Sequence, residues 1–392
     1  MAENLSYFGV TPHLKNLRFC GFYQLDSNSS KMKKALHTAY MRLILSLILL
    51  YTCQQIMKVY QDRDDVNKVM DTMFLLLTNS DSIYKQIVLW KKAHRIEVLL
   101  SIMKGPIFNQ KKREHEEQLS ATAREAKILL RVFNTTALFT CLLWVLYPVI
   151  NVHVQGEPVE FAIWLPFDVN ISPHTYFAAF YVWVQTSWLA FSNTTMDVFI
   201  TFFLAQCKTQ LSILRLDLEH IVEKSKEEAK ISSEDFKNVL DRRLKIVLSH
   251  YDEIIKFSGI IQEVFGGAVM YQFLVSGWII CTTAYKTVNI DPMSVEFVSM
   301  IMYMSCILTE LFIFCFYGNE VTHESEKLIE SAYAMDWLEI PVKYKRALIM
   351  FMERIKRNIN LVAGDLVPLS NSTFVSVVRS SYTFYAFLKN TN

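Results

Sequence analysis

The chain has 392 residues, 52% of them apolar and 13% aromatic, with only 10 Gly and 9 Pro. Such apolar content over this length is high for a soluble protein and ordinary for a multi-span membrane protein. Net charge is only +2, which singles out no partner and calls for no nucleic acid, so the information lies in where the charges sit.

The opening segment carries Arg18, Lys31, Lys33 and Lys34 but no apolar core. No cleavable signal peptide is expected, and the first spanning helix directs insertion. A bilayer-crossing helix needs roughly 20 mostly apolar residues, because lipid satisfies no open backbone group. Five stretches meet that demand at 36–57, 129–150, 176–204, 258–285 and 295–317. Two weaker ones complete a set of seven. The stretch 69–89 holds Asp71, Asp81 and Lys85, and 370–388 is polar and holds Arg379. Charges in a span mark a helix that faces a protein interior or a water path.

Lys and Arg in the connections set the orientation. The segments 1–35, 90–128, 205–257 and 318–369 hold 31 basic residues, against 5 in 58–68, 151–175, 286–294 and 389–392. The expected fold is therefore an all-α membrane protein with seven transmembrane helices, a cytosolic amino terminus and an extracellular carboxyl terminus. In chain order it reads as a cytosolic segment 1–35, spans 1–4 over 36–204 with an outer loop at 151–175, and a cytosolic helical anchor at 205–257. Spans 5 and 6 follow over 258–317, then a second anchor segment at 318–369, and a last span with a short outer tail at 370–392.

The outer loop has no Lys or Arg but carries Trp164, Pro166, Phe167 and Pro173, the punctuation of a folded lid. Asn170-Ile171-Ser172 is a glycosylation sequon on the outer side, which makes Asn170 a candidate acceptor. In the anchor, Leu211, Leu214, Leu218 and Ile221 share one helical face. Leu240, Leu244, Val247, Tyr251 and Ile254 form a second seam with 4-3-4-3 spacing. Between them, 223–241 reads as charged and turn-like. Pro341 opens a third amphipathic helix with Tyr344, Leu348, Phe351 and Ile355 on one side. The 7 cysteines are scattered, five of them in apolar runs, with no CxxC or Cys/His cluster, so neither metal nor disulfide framework is expected. No nucleophile/base constellation or phosphate-cradling Gly loop suggests an enzyme, and no cofactor is called for. A transporter would show repeated halves. A G-protein-coupled receptor would need the reverse orientation and an Asn-Pro-x-x-Tyr or Asp-Pro-x-x-Tyr run in the last span.

The carboxyl-terminal third carries a run of ordered motifs. These are Phe316-Tyr317-Gly318-Asn319-Glu320-Val321, Glu324-Ser325-Glu326, Ala332-Tyr333, Trp337, Lys345-Arg346-Ala347-Leu348, Met352, Ala363-Gly364, Pro368-Leu369-Ser370, Thr373-Phe374 and Ser381-Tyr382. In order and spacing this resembles the signature of insect odorant receptors, and Leu165-Pro166-Phe167 resembles that family's outer loop. Glu353-Arg354-Ile355-Lys356-Arg357 departs from the Arg-Ser-Gln-Arg/Lys-Pro that often follows the Met. The sister gustatory receptors end in a Gln-Phe signature that the tail lacks, so a gustatory receptor-like channel is the alternative.

The resemblance implies a ligand-gated, non-selective cation channel assembled as a heterotetramer with the odorant receptor co-receptor. It would stand in the plasma membrane of olfactory sensory neuron dendrites. The co-receptor has a longer loop between spans four and five, so this chain resembles the odour-tuning subunit. By the same resemblance the final helix lines the pore, the cytosolic ends of spans four to seven form the anchor, and spans two, three, four and six enclose an apolar pocket near the outer face.

A volatile ligand is small and apolar, so its pocket should be lined by aromatic, Met and aliphatic side chains. Candidates in the outer halves of those spans are Met73, Phe74, Leu77, Ala137, Cys141, Trp144, Phe177, Phe180, Tyr181, Val184, Met300, Tyr303 and Met304. Along the last helix, Ser380, Thr383, Phe384, Phe387, Asn390 and Thr391 are candidate pore and gate residues, and Phe387 and Thr391 align with the family's constriction. Glu310 and Arg379 both lie roughly 12 Å above the inner boundary at 1.5 Å per residue. An ion pair between them, coupling pocket helix to pore helix, is the last expectation.

Overall fold

The computed structural model describes every residue except 1–3, 26–28, 111, 156–160, 172, 289, 291–293 and 392, and only the backbone of 67, 147–148, 151–155, 338 and 387–391. Its helices are α1 (Leu5–Phe8), α2 (Thr11–Phe19), α3 (Lys31–Gln61), α4 (Val66–Lys91), α5 (Ala93–Lys104) and α6 (Arg113–Gln155). They continue with α7 (His174–Glu219), α8 (Ile221–Ser232), α9 (Phe236–Val288), α10 (Val295–Ala334), α11 (Val342–Ile355) and α12 (Asn371–Thr391). A two-stranded hairpin, β1 (Val362–Ala363) with β2 (Val367–Pro368), precedes α12.

Among the described residues, seven helices exceed 20 residues: α3, α4, α6, α7, α9, α10 and α12. Five of them, α3, α6, α7, α9 and α10, are apolar and long enough to cross a membrane by composition alone. The other two, α4 and α12, are the stretches that read as weak spans. At 43, 46 and 53 residues, α6, α7 and α9 are more than twice the roughly 20 residues a bilayer needs, so each continues beyond it.

An exposed apolar belt marks the lipid-facing surface. Leu43, Leu50 and Ile56 on α3, Ile128, Val132 and Phe139 on α6, and Leu274 on α9 all stand outward. The core lies along α7, where almost every side chain from Ser192 to Leu214 is buried. This helix packs lengthwise on α6 and α10, while α4 and α12 lean on α9.

Beyond the belt, the three amphipathic seams turn inward. Leu211, Leu214, Leu218 and Ile221 are buried, as are Leu240, Leu244, Val247, Tyr251 and Ile254. Leu348, Phe351 and Ile355 of α11 join them, with Phe351 edge-on to Tyr251 at 5.3 Å between ring centres. One reading needs correction here. The stretch 223–241 is helical over most of its length, with α8 capped by Ser233 in the left-handed region (φ 54°) and α9 beginning three residues after that cap. Its charges suit an exposed helix face as well as a turn: Arg242 and Arg243 both pair with Glu228.

The carboxyl-terminal motifs meet in space. On α10, Thr322 donates to the Ile359 carbonyl at 3.3 Å, and Ser325 Oγ accepts from the Ile359 amide at 2.9 Å. Glu324 pairs with Arg215 of α7 at 2.6 Å, and Trp337 donates from Nε1 to the Ala332 carbonyl. Gly364 has φ +57°, its amide donates to the Gly266 carbonyl at 2.8 Å, and a Cβ there would strike Met270. Gly318 lets α10 press against the residue that starts the approach to α12, since a Cβ would lie 2.8 Å from the Leu369 carbonyl oxygen. Gly318→Ala is therefore expected to cost about 1–3 kcal/mol through overpacking, read as a lower unfolding midpoint of the solubilised chain. Gly259→Ala, with no atom within 4 Å of the added Cβ, is the neutral control.

A polar cluster near the end of α7 sets a pH dependence. Lys112 Nζ and His115 Nε2 both donate to Asp217 Oδ1, at 2.6 and 3.2 Å. Burial alone would raise the Asp217 carboxyl, but these two donors outweigh it and hold it down at about 2. The folded-state value is depressed, so the stabilisation is complete above the unfolded value near 4 and is lost as pH falls towards 2. The loss is roughly 2 kcal/mol. Unfolding midpoints measured across that window should fall more steeply for the parent chain than for Asp217→Asn.

Candidate functional site

A cavity of about 90 Å³ lies between α3, α4, α6, α7 and α10. Its walls follow from helical spacing. On α4 the lining residues are Leu75, Thr78 and Asn79, and on α6 they are Phe133, Ala137, Thr140, Cys141 and Trp144. On α7 they are Thr186, Leu189, Ala190, Asn193 and Thr194, and on α10 Tyr303, Cys306, Ile307 and Glu310. Tyr51 and Gln55 close the α3 side. Each set recurs at three- and four-residue steps, as one face of a helix must.

Aromatic rings form one end. Trp144 and Tyr303 meet nearly perpendicular at 5.8 Å between centres, and Phe74 backs both, 5.1 Å from Trp144 and 5.4 Å from Tyr303. The Tyr303 hydroxyl hydrogen-bonds Thr78 Oγ1 at 2.7 Å, which fixes the ring across the gap from α10 to α4. A smaller cavity of about 30 Å³ shares Tyr51, Leu75, Trp144 and Thr186 with the first and reaches Phe161 and Ala162 of the outer loop.

The opposite end is charged. Lys85 Nζ of α4 lies 2.7 Å from Asp81, 2.5 Å from Asp197 of α7 and 3.2 Å from Glu310 of α10, all of them buried. Asn193 ties the group together: its Oδ1 accepts from Lys85 at 3.2 Å and its Nδ2 donates to Glu310 Oε1 at 2.8 Å. A buried ion is tolerated only with partners and hydrogen bonds of this kind. The expected pair between Glu310 and Arg379 is thereby corrected. Glu310 spends its charge on Lys85, while Arg379 is exposed on α12 and makes no ion pair among the described residues.

The structure separates the other candidates. Ala137, Cys141, Trp144 and Tyr303 line the cavity, and Phe74 supports it from behind. Met73 and Leu77 lie outside the lining, because α4 presents 75, 78 and 79 rather than 73, 74 and 77. Phe177 and Phe180 are 66% and 62% exposed and, with Val184, face outward. Tyr181 turns inward beside the cavity, donating to Gln54 Oε1 at 2.7 Å with its ring edge-on to Tyr51. Met300 is buried and Met304 half-buried in the core, neither on the lining. The signal for the α7 wall was present as Thr186, Asn193, Thr194 and Asp197, polar residues in an apolar run.

Along α12, Ser380 and Phe384 line an open groove against Gly277 and Trp278 of α9, about 650 Å³ in volume, and Thr383 is exposed beside it. The side chains of Phe387, Asn390 and Thr391 lie outside the described residues. Asn170 is exposed, its side-chain amide donating to Asp168 at 3.3 Å. In the outer loop the buried anchors are Phe161 and Ile163, and the Trp164 amide donates to the Gln54 carbonyl of α3 at 3.1 Å. Trp164 and Phe167 themselves remain partly exposed.

Seven membrane-length helices, five of them around a mostly apolar cavity, define a multi-pass helical membrane protein with room for a small molecule. The family model described as 7tm Odorant receptor matches residues 65–382, and the chain belongs to that family, one of receptors and not of enzymes. Among relatives, the chain is 23% identical to Odorant receptor Or1 of Anopheles gambiae over 84% of this chain and 83% of that one. It is 21% identical to Odorant receptor 46a, isoform A, of Drosophila melanogaster over 90% of each. The fold matches the solved structure of the insect olfactory receptor OR5 from Machilis hrabei with a TM-score of 0.83, at 16% identity over 98% of each chain. The same receptor in complex with eugenol matches with a TM-score of 0.85.

Proposed function

We propose that the chain is the odour-tuning subunit of a ligand-gated cation channel formed with the odorant receptor co-receptor in the plasma membrane. A small volatile molecule binds the cavity between α3, α4, α6, α7 and α10, and its binding opens a pore lined by α12. The observation that carries this reading is the apolar cavity with Trp144 and Tyr303 at one end, on a fold shared with a receptor solved in complex with eugenol. Burial of apolar area at roughly 25 cal/mol per Å² supplies most of the binding energy. Affinity is then modest, and shape selection comes from the aromatic end.

The link to the pore runs through α10, which carries Tyr303 and Glu310 on the cavity and Phe312 against Phe374 of α12 at 5.6 Å. A shift of α10 on ligand binding would be felt directly by α12, replacing the salt bridge first expected there. The 31-to-5 bias of basic residues supports a cytosolic amino terminus and an anchor built from the extended ends of α7, α9, α10 and α11. The exposed Ser372, Ser376, Ser380 and Thr383 give α12 a polar stripe suited to water.

Co-expression in oocytes tests this. Ligand-evoked cation current is expected from the chain together with the co-receptor and not from the chain alone. Current from the chain alone, or a response that requires a G protein, would reject the reading.

A further inference from the structure

The charged end of the cavity offers more hydrogen-bond acceptors than donors. Glu310 lines the cavity and is only 4% exposed. Its Oε1 receives Lys85 and the Asn193 amide, while Asp81 and Asp197 crowd the same ammonium from behind, so three carboxylates face one cation. Asp81 Oδ1 and Asp197 Oδ2 have no hydrogen-bond partner among the described residues, and no Lys or Arg lines the cavity. On the α3 wall, the Nε2 of fully buried Gln55 and the Tyr51 hydroxyl have no hydrogen-bond partner among the described residues. A hydrogen bond to a buried ionised group contributes more than one between neutral groups, and a charge left short of partners is costly. Asp81 and Asp197 stand behind the wall, so the one carboxylate on the lining is Glu310, and at that end the polar demand is for a ligand group that donates.

We infer that the cavity selects small molecules whose polar end donates hydrogen bonds to Glu310: a protonated alkylamine best, an alcohol next, and a ketone or ester of the same shape last. This rests on the cavity being the ligand site. The body of the ligand lies towards Trp144 and Tyr303. At about 90 Å³ the space is smaller than the roughly 150 Å³ in which benzene is held, which limits the ligand to about four heavy atoms. The Gln55 amide adds a donor that an alcohol or ketone oxygen can accept from and an ammonium cannot, which narrows the gap between the three classes; the charge on Glu310 sets the order.

The test uses the full chain in detergent, with 1-propylamine, 1-propanol and acetone as probes and the ligand-induced rise in unfolding midpoint as the readout. The amine is expected to half-saturate at a concentration about tenfold or more below the ketone. Glu310→Gln keeps the size of the side chain and leaves Lys85 with Asp81 and Asp197, so the fold is retained. In that variant the amine should lose its advantage while the ketone binds as before. Equal binding of amine and ketone to the parent chain overturns the inference. So does an amine-to-ketone ratio unchanged by Glu310→Gln, or no shift with any of the three probes. Ala137→Phe separates the two levels of the reading. If it leaves all binding intact, the cavity is not the ligand site. If it removes binding while Glu310→Gln leaves the ratio unchanged, the donor preference alone fails.

Discussion

Replacing Lys85 with Met is expected to destabilise the protein by about 3–5 kcal/mol, enough to remove most of it from the cell surface. Lys85 is the one cation among Asp81, Asp197 and Glu310, at 2.7, 2.5 and 3.2 Å, and its side chain is 1% exposed. Its loss leaves three buried carboxylates with no other cation paired to them among the described residues. Neutralising the partners at the same time, with Asp81→Asn, Asp197→Asn and Glu310→Gln beside Lys85→Met, should restore much of the surface level, because the shapes are kept and no uncompensated charge is left. Non-additivity of that kind is the signature of one coupled network. Surface biotinylation of the single and quadruple variants measures it. Full surface expression of Lys85→Met would show that the cluster does not hold the helices together.

Ala137→Phe is expected to abolish ligand sensitivity, with at least about a hundredfold rise in the concentration for half-maximal response. Ala137 is buried on the wall of a 90 Å³ space, and the six ring carbons of a Phe side chain take up that space. Overpacking costs about 1–3 kcal/mol, which the fold tolerates, so surface expression should persist and the two effects can be told apart. Ala137→Leu should instead shift the response towards shorter ligands. Dose–response curves for a homologous series of linear ligands read both outcomes.

Much of this architecture can be read from the amino acids alone, because lipid imposes length and apolarity on a helix and the Lys/Arg bias constrains the rest. Even α4 is legible despite its polarity, because leaving it out would put the basic connection 90–128 on the outer side. Residue by residue the site was less legible. On α6 the lining residues Ala137, Cys141 and Trp144 were recognisable, since their spacing matches one helical face. On α7 aromatic side chains misled: Phe177 and Phe180 face outward, because where the solvent is itself apolar a large ring no longer marks the inside. There the inward face is marked by Asn193, Thr194 and Asp197. Depth alone matched Glu310 to Arg379, but depth does not fix azimuth, and Lys85 lies on the side of α4 that Glu310 faces.

Determination of the structure of the full chain with a bound activating ligand tests the placement of the binding site most directly. Ligand density is expected between Trp144 and Tyr303 at one end and Glu310 and Asn193 at the other. Density found instead in the groove between α9 and α12, or on the lipid-facing side of Phe177 and Phe180, would contradict it.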